Sequence, residues 1–331
     1  MYVMSMVAFF LLLLIEGLLS EDNNTHWGYH DHNGPENWGK DCLNGFRQSP
    51  IDIRAADVDY ALLHRLHFIH YDITGPINIV NNGHTVKVDG FDKWGSKQPY
   101  IQGGGLRHRY NLVQFHFHWA QHDHHGSEHK IGGLHYPAEL HLVHVRHDVP
   151  LKDALRKPDG VAVIGVFIVI GHDGSSIAAF SPTFENLVFP GNRSRVEGFR
   201  ARTLLPAHTD AFYRYVGSLT TPDCNEAVIW TVLSEPISVT RSQCLLVDVA
   251  DAIRSSLTSF IVEALITIMR SQGNIGADNV RLIHNFRPIQ PLNGRRILYR
   301  PSSFDKKLLC GGSSAARIIA ALLITIIFYL L

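Results

Sequence analysis

At 331 residues, 45% hydrophobic and 18% charged, the chain is a folded globular polypeptide, long enough for one large domain or two small ones and too apolar to be disordered. Its 30 Lys and Arg balance its 30 Asp and Glu, so no field of one sign and no basic cluster points to a nucleic-acid partner. Histidine is the outlier, with 21 residues concentrated before residue 150; most are expected on the surface and a few in metal or proton chemistry.

The chain opens on an apolar core, VAFFLLLLI at residues 7–15, followed by small residues at Gly17 and Ser20. Despite Glu16 and the lack of a basic start, residues 1–20 read as a secretory signal peptide. Asn23 (N-N-T) and Asn192 (N-R-S) head glycosylation sequons. The body, residues 21–309, carries no linker, repeat or low-complexity tract. Its short β-branched and aromatic runs, INIVNNGHTVKV, YNLVQFHFHW, AELHLVHV, VAVIGVFIVI and VIWTVL, are separated by Gly, Pro, Asn and Asp turns. That pattern predicts a β-dominated α/β single domain. Residues 247–269 are the helical exception, amphipathic in part, with the apolar stretch FIVEALITIM.

Strand periodicity sorts YNLVQFHFHW into two faces. Leu112, Gln114, His116 and His118 fall on one, and Val113, Phe115, Phe117 and Trp119 on the other. Two imidazoles on one face stand about 7 Å apart, a spacing that suits a shared metal if a neighbouring strand adds a third ligand. An ordinary half-exposed strand with polar residues outward explains the same pattern. In AELHLVHV, Glu139, His141 and Val143 share a face, opposite Leu140, Leu142 and His144. A carboxylate two residues before a histidine can accept the ring's second N–H and fix its orientation; Gln114 can do the same for His116. Three histidines with an open fourth position are the pattern of a catalytic metal site, because structural zinc sites are closed by four protein ligands.

Taken together, QSPI, NNGH, QFHFHW, GSEH, AELHLVH and SLTTP, in that order, resemble an α-class carbonic anhydrase of the extracellular, membrane-anchored type. The resemblance runs from HWGY at 26 to NFRPIQPL at 285–292. It implies a single domain around a large twisted, mostly antiparallel sheet with Zn2+ in a central conical cavity. The zinc ligands it implies are His116, His118 and His141, with Gln114, Glu139 and Asn285 as the groups that hold them. The reaction it implies is reversible hydration of carbon dioxide to bicarbonate and a proton, by zinc-hydroxide attack on CO2. Three neutral imidazoles leave a zinc site with a net charge of +2, which favours deprotonation of a bound water; carbonic anhydrase is the reference case for that effect.

The same resemblance gives Glu128 and Thr220 as a pair. The carboxylate only accepts, so the threonine hydroxyl donates to it and turns its oxygen toward the zinc-bound hydroxide. Val143, Val163, Leu219, Val228 and Trp230 are implied as an apolar wall for CO2, with Thr221 at the pocket edge. His84 matches the proton-shuttle position, and Tyr29 a tyrosine that orders the water chain. Cys42 and Cys224 are implied to pair and to brace the loop carrying Thr220, while Cys244 is expected to be a buried thiol and Cys310 unpaired near the tail. Lys87 stands where many relatives carry a neutral polar residue. His122, His124 and His125 belong to an expected solvated loop.

At the C-terminus, the apolar run 318–331 is shorter than the roughly 20 residues of a spanning helix. Gly311, Gly312, Ser313 and Ser314 precede it, so residues 310–331 read as a GPI-anchor signal. A single-pass span, with Arg317 snorkelling at its end, and plain secretion are the alternatives. The expected setting is the extracellular face of the cell membrane, with small-molecule substrates, a C-terminal membrane tether and no obligate protein partner. A catalytically silent carbonic-anhydrase-like binding module is the competing reading; silent relatives typically lose a zinc histidine, and all three remain here.

Overall fold

The computed structural model describes residues 27–122, 124–171, 174, 176–240 and 282–302. The expected signal peptide, the Asn23 sequon, the 247–269 helix, Cys244, Cys310 and the 310–331 tail lie outside the described residues.

Fifteen strands make up the described body. They are β1 (Asp52–Ile53), β2 (Val58–Tyr60), β3 (Leu66–Ile69), β4 (Thr74–Asn81), β5 (Val86–Asp89), β6 (Tyr100–Gly103), β7 (Tyr110–Trp119) and β8 (Lys130–Ile131). Then follow β9 (Ala138–Arg146), β10 (Val161–Gly171), β11 (Arg193–Arg200), β12 (Phe212–Gly217), β13 (Val228–Leu233), β14 (Ile237–Thr240) and β15 (Ile297–Arg300). Thirteen of them form one twisted sheet in the order β11-β4-β5-β7-β9-β10-β13-β12-β15-β2, with β14 beside β10 and β6 joining β3 to β7. Within that sheet the ladders are antiparallel except β10–β13, β10–β14 and β15–β2, and β1 pairs with β8 in parallel as a separate two-stranded sheet. The described helices are short, from single turns such as Asp41–Asn44 and Leu151–Ala154 to the 3-10 segments Phe91–Lys97 and Ser181–Asn186. The β-dominated single domain expected from the sequence is therefore what forms.

Both faces of the sheet's centre are covered. One core holds Ile77, Val88, Phe115, Phe117, Leu140, Leu142 and Ile164. The other holds Val143, Val145, Val163, Trp230 and Val232. A strand buried on both faces has no polar side to present, which is why β10 reads as the unbroken run VAVIGVFIVI. Gly165 in that run faces His141 across the β9–β10 ladder. A Cβ there would meet Glu139 Oε1 at 3.0 Å, so the glycine makes room for a carboxylate inside the sheet.

Strict alternation fails at one point. The β7–β9 register shifts between Leu112 and Gln114, so that Leu112 faces His144 and Gln114 faces Val143. Val113 is the extra residue of a bulge. Leu112 consequently packs in the first core with Phe115 and Phe117, and Val113 against the second. The assignment of Leu112 to the histidine face is thus corrected. Beyond the bulge, the alternation of Gln114, His116 and His118 stands.

Candidate metal centre

The β7–β9 ladder sets His141 directly opposite His116, and β7 places His118 two residues on. The three ring centroids lie 5.0 Å apart for His116–His118, 5.4 Å for His116–His141 and 4.5 Å for His118–His141. Each ring is held by its outer nitrogen. His116 Nδ1 donates to Gln114 Oε1 at 2.9 Å, His118 Nδ1 to the Asn285 carbonyl at 2.7 Å, and His141 Nε2 to Glu139 Oε1 at 2.9 Å. The inner nitrogens, Nε2, Nε2 and Nδ1, are left with their lone pairs. One ligand nitrogen from each ring lies within 4.8 Å of the others. His118 Nε2 is buried without a hydrogen-bond partner, a condition that buried polar atoms in folded proteins rarely tolerate. Burial, reinforced by the neighbouring imidazoles, holds His116 well below the usual histidine range and lowers His141; burial also brings His118 down to about 4. Three converging, neutral, pre-oriented imidazoles fit a zinc ion with an open fourth position.

Glu139 anchors more than one ring. Its Oε1 also accepts from His129 Nδ1 at 2.7 Å, and its Oε2 from the His129 amide at 2.8 Å. Desolvation works to raise this carboxyl, but the His129 and His141 partners hold it well below the carboxylate range. His129 Nε2 meets the Tyr215 hydroxyl at 2.7 Å, and Tyr215 bonds Ser49 Oγ at 2.9 Å. His129, Glu139 and His141 are also close enough to resemble a metal cluster. Ring protons fill the gaps between them, however, so this is a hydrogen-bond chain behind the triad. Sequence reasoning assigned no role to His129; its only signal was its place in GSEH.

Glu128 is fully buried, and its Oε1 accepts from the Arg287 amide at 2.8 Å. Its Oε2 points at the triad, 3.5 Å from His118 Nε2 and 3.8 Å from His141 Nδ1. Desolvation pushes its carboxyl up to about 7, against the pull of His141, the Arg287 amide and the Thr220 hydroxyl. Thr220 is itself buried beside it. Gly126 lies just upstream, where a Cβ would strike the Pro137 carbonyl oxygen at 1.7 Å; that close approach closes the loop leading into Glu128.

Val143, Val163, Val228 and Trp230 are buried members of the second core, with Leu219 packed against them. The β9–β10–β13 ladders align Val143 with Val163 and Val163 with Trp230. Thr221 is partly exposed, and its carbonyl accepts from the Cys224 amide at 3.0 Å. Cys224 is joined to Cys42 by a disulfide with a Cα–Cα distance of 5.0 Å, so the turn that follows Thr220 is tied to the N-terminal segment.

Asn285 binds the site together through every polar atom of its side chain. Its Oδ1 accepts from the Trp119 amide at 2.7 Å, and its Nδ2 donates to the His84 and Phe117 carbonyls at 3.0 and 2.9 Å. The His84 turn is fixed in turn by Asn82 Oδ1, which accepts from the His84 and Thr85 amides. His84 is only 9% exposed, less than a turn histidine usually is, and its ring stacks on Trp27 at 3.6 Å and 9°. Tyr29 is buried, edge-on to Trp27 and Trp38. His122, His124 and His125 are exposed. Asn192 is partly exposed at the edge of β11, with its Oδ1 accepting from the Phe189 amide.

A family model described as eukaryotic-type carbonic anhydrase matches residues 33–301. Two Caenorhabditis elegans proteins are similar. "Putative carbonic anhydrase 5" is 48% identical over 295 residues, 88% of this chain and 87% of its own. "Putative carbonic anhydrase 3" is 37% identical over 277 residues, 83% of this chain and 97% of its own. Carbonic anhydrase 3 of Homo sapiens is 35% identical over 278 residues, 81% of this chain and 96% of its own.

Proposed function

The chain belongs to the eukaryotic-type carbonic anhydrase family, and from that premise we propose that it catalyses the reversible hydration of carbon dioxide to bicarbonate and a proton. The observation that carries the reading is the convergence of three inner imidazole nitrogens on one point, with His118 Nε2 buried and otherwise unpartnered.

His116, His118 and His141 would hold Zn2+, which when bound supplies Lewis-acid activation of water near neutral pH. Gln114, Asn285 and Glu139 fix the ring orientations. In this reading the Thr220 hydroxyl donates a hydrogen bond to Glu128, whose Oε2 otherwise lacks a partner, and so presents its oxygen as an acceptor to the attacking water, which turns a lone pair toward the substrate carbon. Val143, Val163, Leu219, Val228 and Trp230 give the apolar substrate a wall without hydrogen-bonding groups to compete for it. His84, held in its turn by Asn82 and backed by Trp27, passes the released proton outward. Retention of all three ligands argues against the silent binding module.

The second part of the proposal concerns place. The Cys42–Cys224 disulfide suits an oxidising compartment. Together with the sequence reading of residues 1–20 and 310–331, it supports an enzyme tethered to the outer face of the cell membrane by a glycolipid.

Stopped-flow hydration of CO2 by the mature protein, before and after chelation and zinc restoration, tests the activity. No chelator-sensitive hydration would refute it. Treating intact cells with phosphatidylinositol-specific phospholipase C tests the tether. Release of active protein lacking the tail is expected, and retention with residues 318–331 intact would show a spanning chain.

A further inference from the structure

Strand β5 lies directly beside the ligand strand. Lys87 pairs with His116 across the antiparallel ladder, and Asp89 with Gln114. Directly paired residues share a face. Val86 and Val88 are buried in the first core, so the alternation of the strand sets Lys87 and Asp89 on the opposite face, with His116 and Gln114. The two form an ion pair at 3.2 Å, each side chain 36% exposed. A solvent-accessible ammonium therefore stands on the wall of a metal site, one strand away from a ligand.

We propose that Lys87 forms an anion-docking position beside the metal centre, one that takes small monovalent anions, bicarbonate among them. The inference rests on the function proposed above, because bicarbonate is the anion that reaction makes and consumes. An ammonium is a point charge with three rotatable donors. Its bond to Asp89 is a half-exposed ion pair, weak enough to be shared, so an anion can approach the remaining N–H groups. Relatives with a neutral residue at this position would lack the charge. The overall equilibrium fixes the ratio of kcat/KM in the two directions, so Lys87 cannot favour dehydration over hydration. Its effect must appear in anion affinity and in inhibition by product.

The test uses the metal-loaded protein as wild type, Lys87→Gln and Lys87→Arg. With cobalt(II) in the triad, thiocyanate binding is followed by the visible spectrum of the metal, without recourse to turnover. Lys87→Gln should weaken thiocyanate roughly threefold to tenfold at low ionic strength, the effect of one charge acting through a partly hydrated wall. Lys87→Arg should stay within about twofold of wild type, and added salt should shrink the difference. Inhibition of the zinc enzyme by bicarbonate should weaken in parallel. A protein that takes up cobalt and hydrates CO2, but binds thiocyanate equally with and without Lys87, overturns this inference alone. One that takes up no metal overturns the proposed function and this inference with it.

Discussion

His118 Nε2 and Glu128 Oε2 face each other at 3.5 Å, both buried and both without a hydrogen-bond partner. Burial favours the neutral imidazole, down to about 4, so the pair does not become a salt bridge at ordinary pH. Each unsatisfied atom costs on the order of 1–3 kcal/mol. A cation ligated by His118 Nε2 would satisfy one of them outright. The metal-free protein should therefore gain stability on adding zinc: about 4 kcal/mol at a thousandfold excess over the dissociation constant, or on the order of 10 °C in Tm. Differential scanning calorimetry with and without zinc measures the shift, and His118→Ala should abolish most of it. An unchanged wild-type Tm would argue that the triad holds no metal.

His129 predicts a second effect, one that separates support from ligation. It donates to both oxygens of Glu139, which in turn fixes His141. His129→Phe keeps an aromatic ring and the backbone amide bonded to Glu139 Oε2 but removes the Nδ1–H donor to Oε1, a loss of about 1–3 kcal/mol. Zinc affinity should fall about 10–100-fold, as for other groups that act through a ligand. Urea unfolding and competition against a calibrated chelator read the two effects separately. Destabilisation with unaltered zinc affinity would show that Glu139 orients His141 without help from His129.

The proton path gives a third. His84→Ala should lower maximal turnover in weak buffer while leaving kcat/KM for CO2 near wild type, and added imidazole should restore much of the rate. The stacking of His84 on Trp27 adds a corollary: Trp27→Ala should alter the same buffer-dependent rate and not the hydration step. If turnover in weak buffer is indifferent to His84, the proton leaves by another route.

Strand periodicity, a local rule, made only the halves of the candidate metal centre legible in the sequence; that His141 joins His116 and His118 came from the resemblance. Gln114, His116 and His118 share a face by alternation alone, and Glu139 and His141 by the same rule one strand away. What the sequence could not show depends on contacts between distant segments. The bulge at Val113 is decided by the pairing of β7 with β9, so Leu112 was placed on the wrong face. Asn285 reaches Trp119, His84 and Phe117 across more than 160 positions, and the resemblance, not any local pattern, pointed to it. His129 escaped notice because a buried histidine between a carboxylate and a tyrosine has no sequence signature. The cover over His84 is of the same kind, since Trp27, which stacks on it, lies far away in the chain.

Acid stability supplies a fourth prediction, from a histidine outside the metal centre. His144 is fully buried in the first core's face of β9; its Nδ1 donates to the Ala162 carbonyl and its Nε2 accepts from the Tyr71 hydroxyl. Desolvation pulls its pKa down to about 3, against the two backbone carbonyls that favour the charged form. The unfolded chain protonates this ring near pH 6.5 and the folded chain does not. Its contribution is therefore complete above about pH 6.5 and is lost as pH falls toward about 3, at up to about 1.4 kcal/mol per pH unit. His144→Gln should be less stable than wild type near neutrality, yet show a shallower loss through that window. Urea midpoints across the window decide it, and parallel slopes would assign the acid sensitivity to other groups.

The disulfide makes the last prediction, and it links stability to the reaction. Cys42 and Cys224 are 182 positions apart, so their bond closes a very long loop of the unfolded chain. On the chain-entropy model that contributes about 5 kcal/mol. Cys224 also sits four residues past Thr220, in a turn where Asp223 and Cys224 both adopt positive φ, 72° and 44°. Non-glycine residues resist that conformation, and the covalent tie to Cys42 helps to hold it. Besides the turn's own bonds, the Cys224 amide to the Thr221 carbonyl and the Leu219 amide to the Asn225 carbonyl, its other ties to the N-terminal segment are the Cys224 carbonyl accepting from Gln48 Nε2 at 3.2 Å and the exposed ion pair of Asp223 with Lys40. Removing the tie by Cys42→Ser with Cys224→Ser should therefore do two things. The unfolding midpoint in urea should fall by several kcal/mol. The turn carrying Thr220 should also loosen, lowering kcat/KM for CO2 well below wild type under conditions where the variant is still fully folded and fully zinc-loaded. A folded, zinc-loaded variant with wild-type kcat/KM would show that the disulfide only staples the fold, and that the Thr220 turn is held without it by the Gln48 bond to Cys224 and the surrounding core.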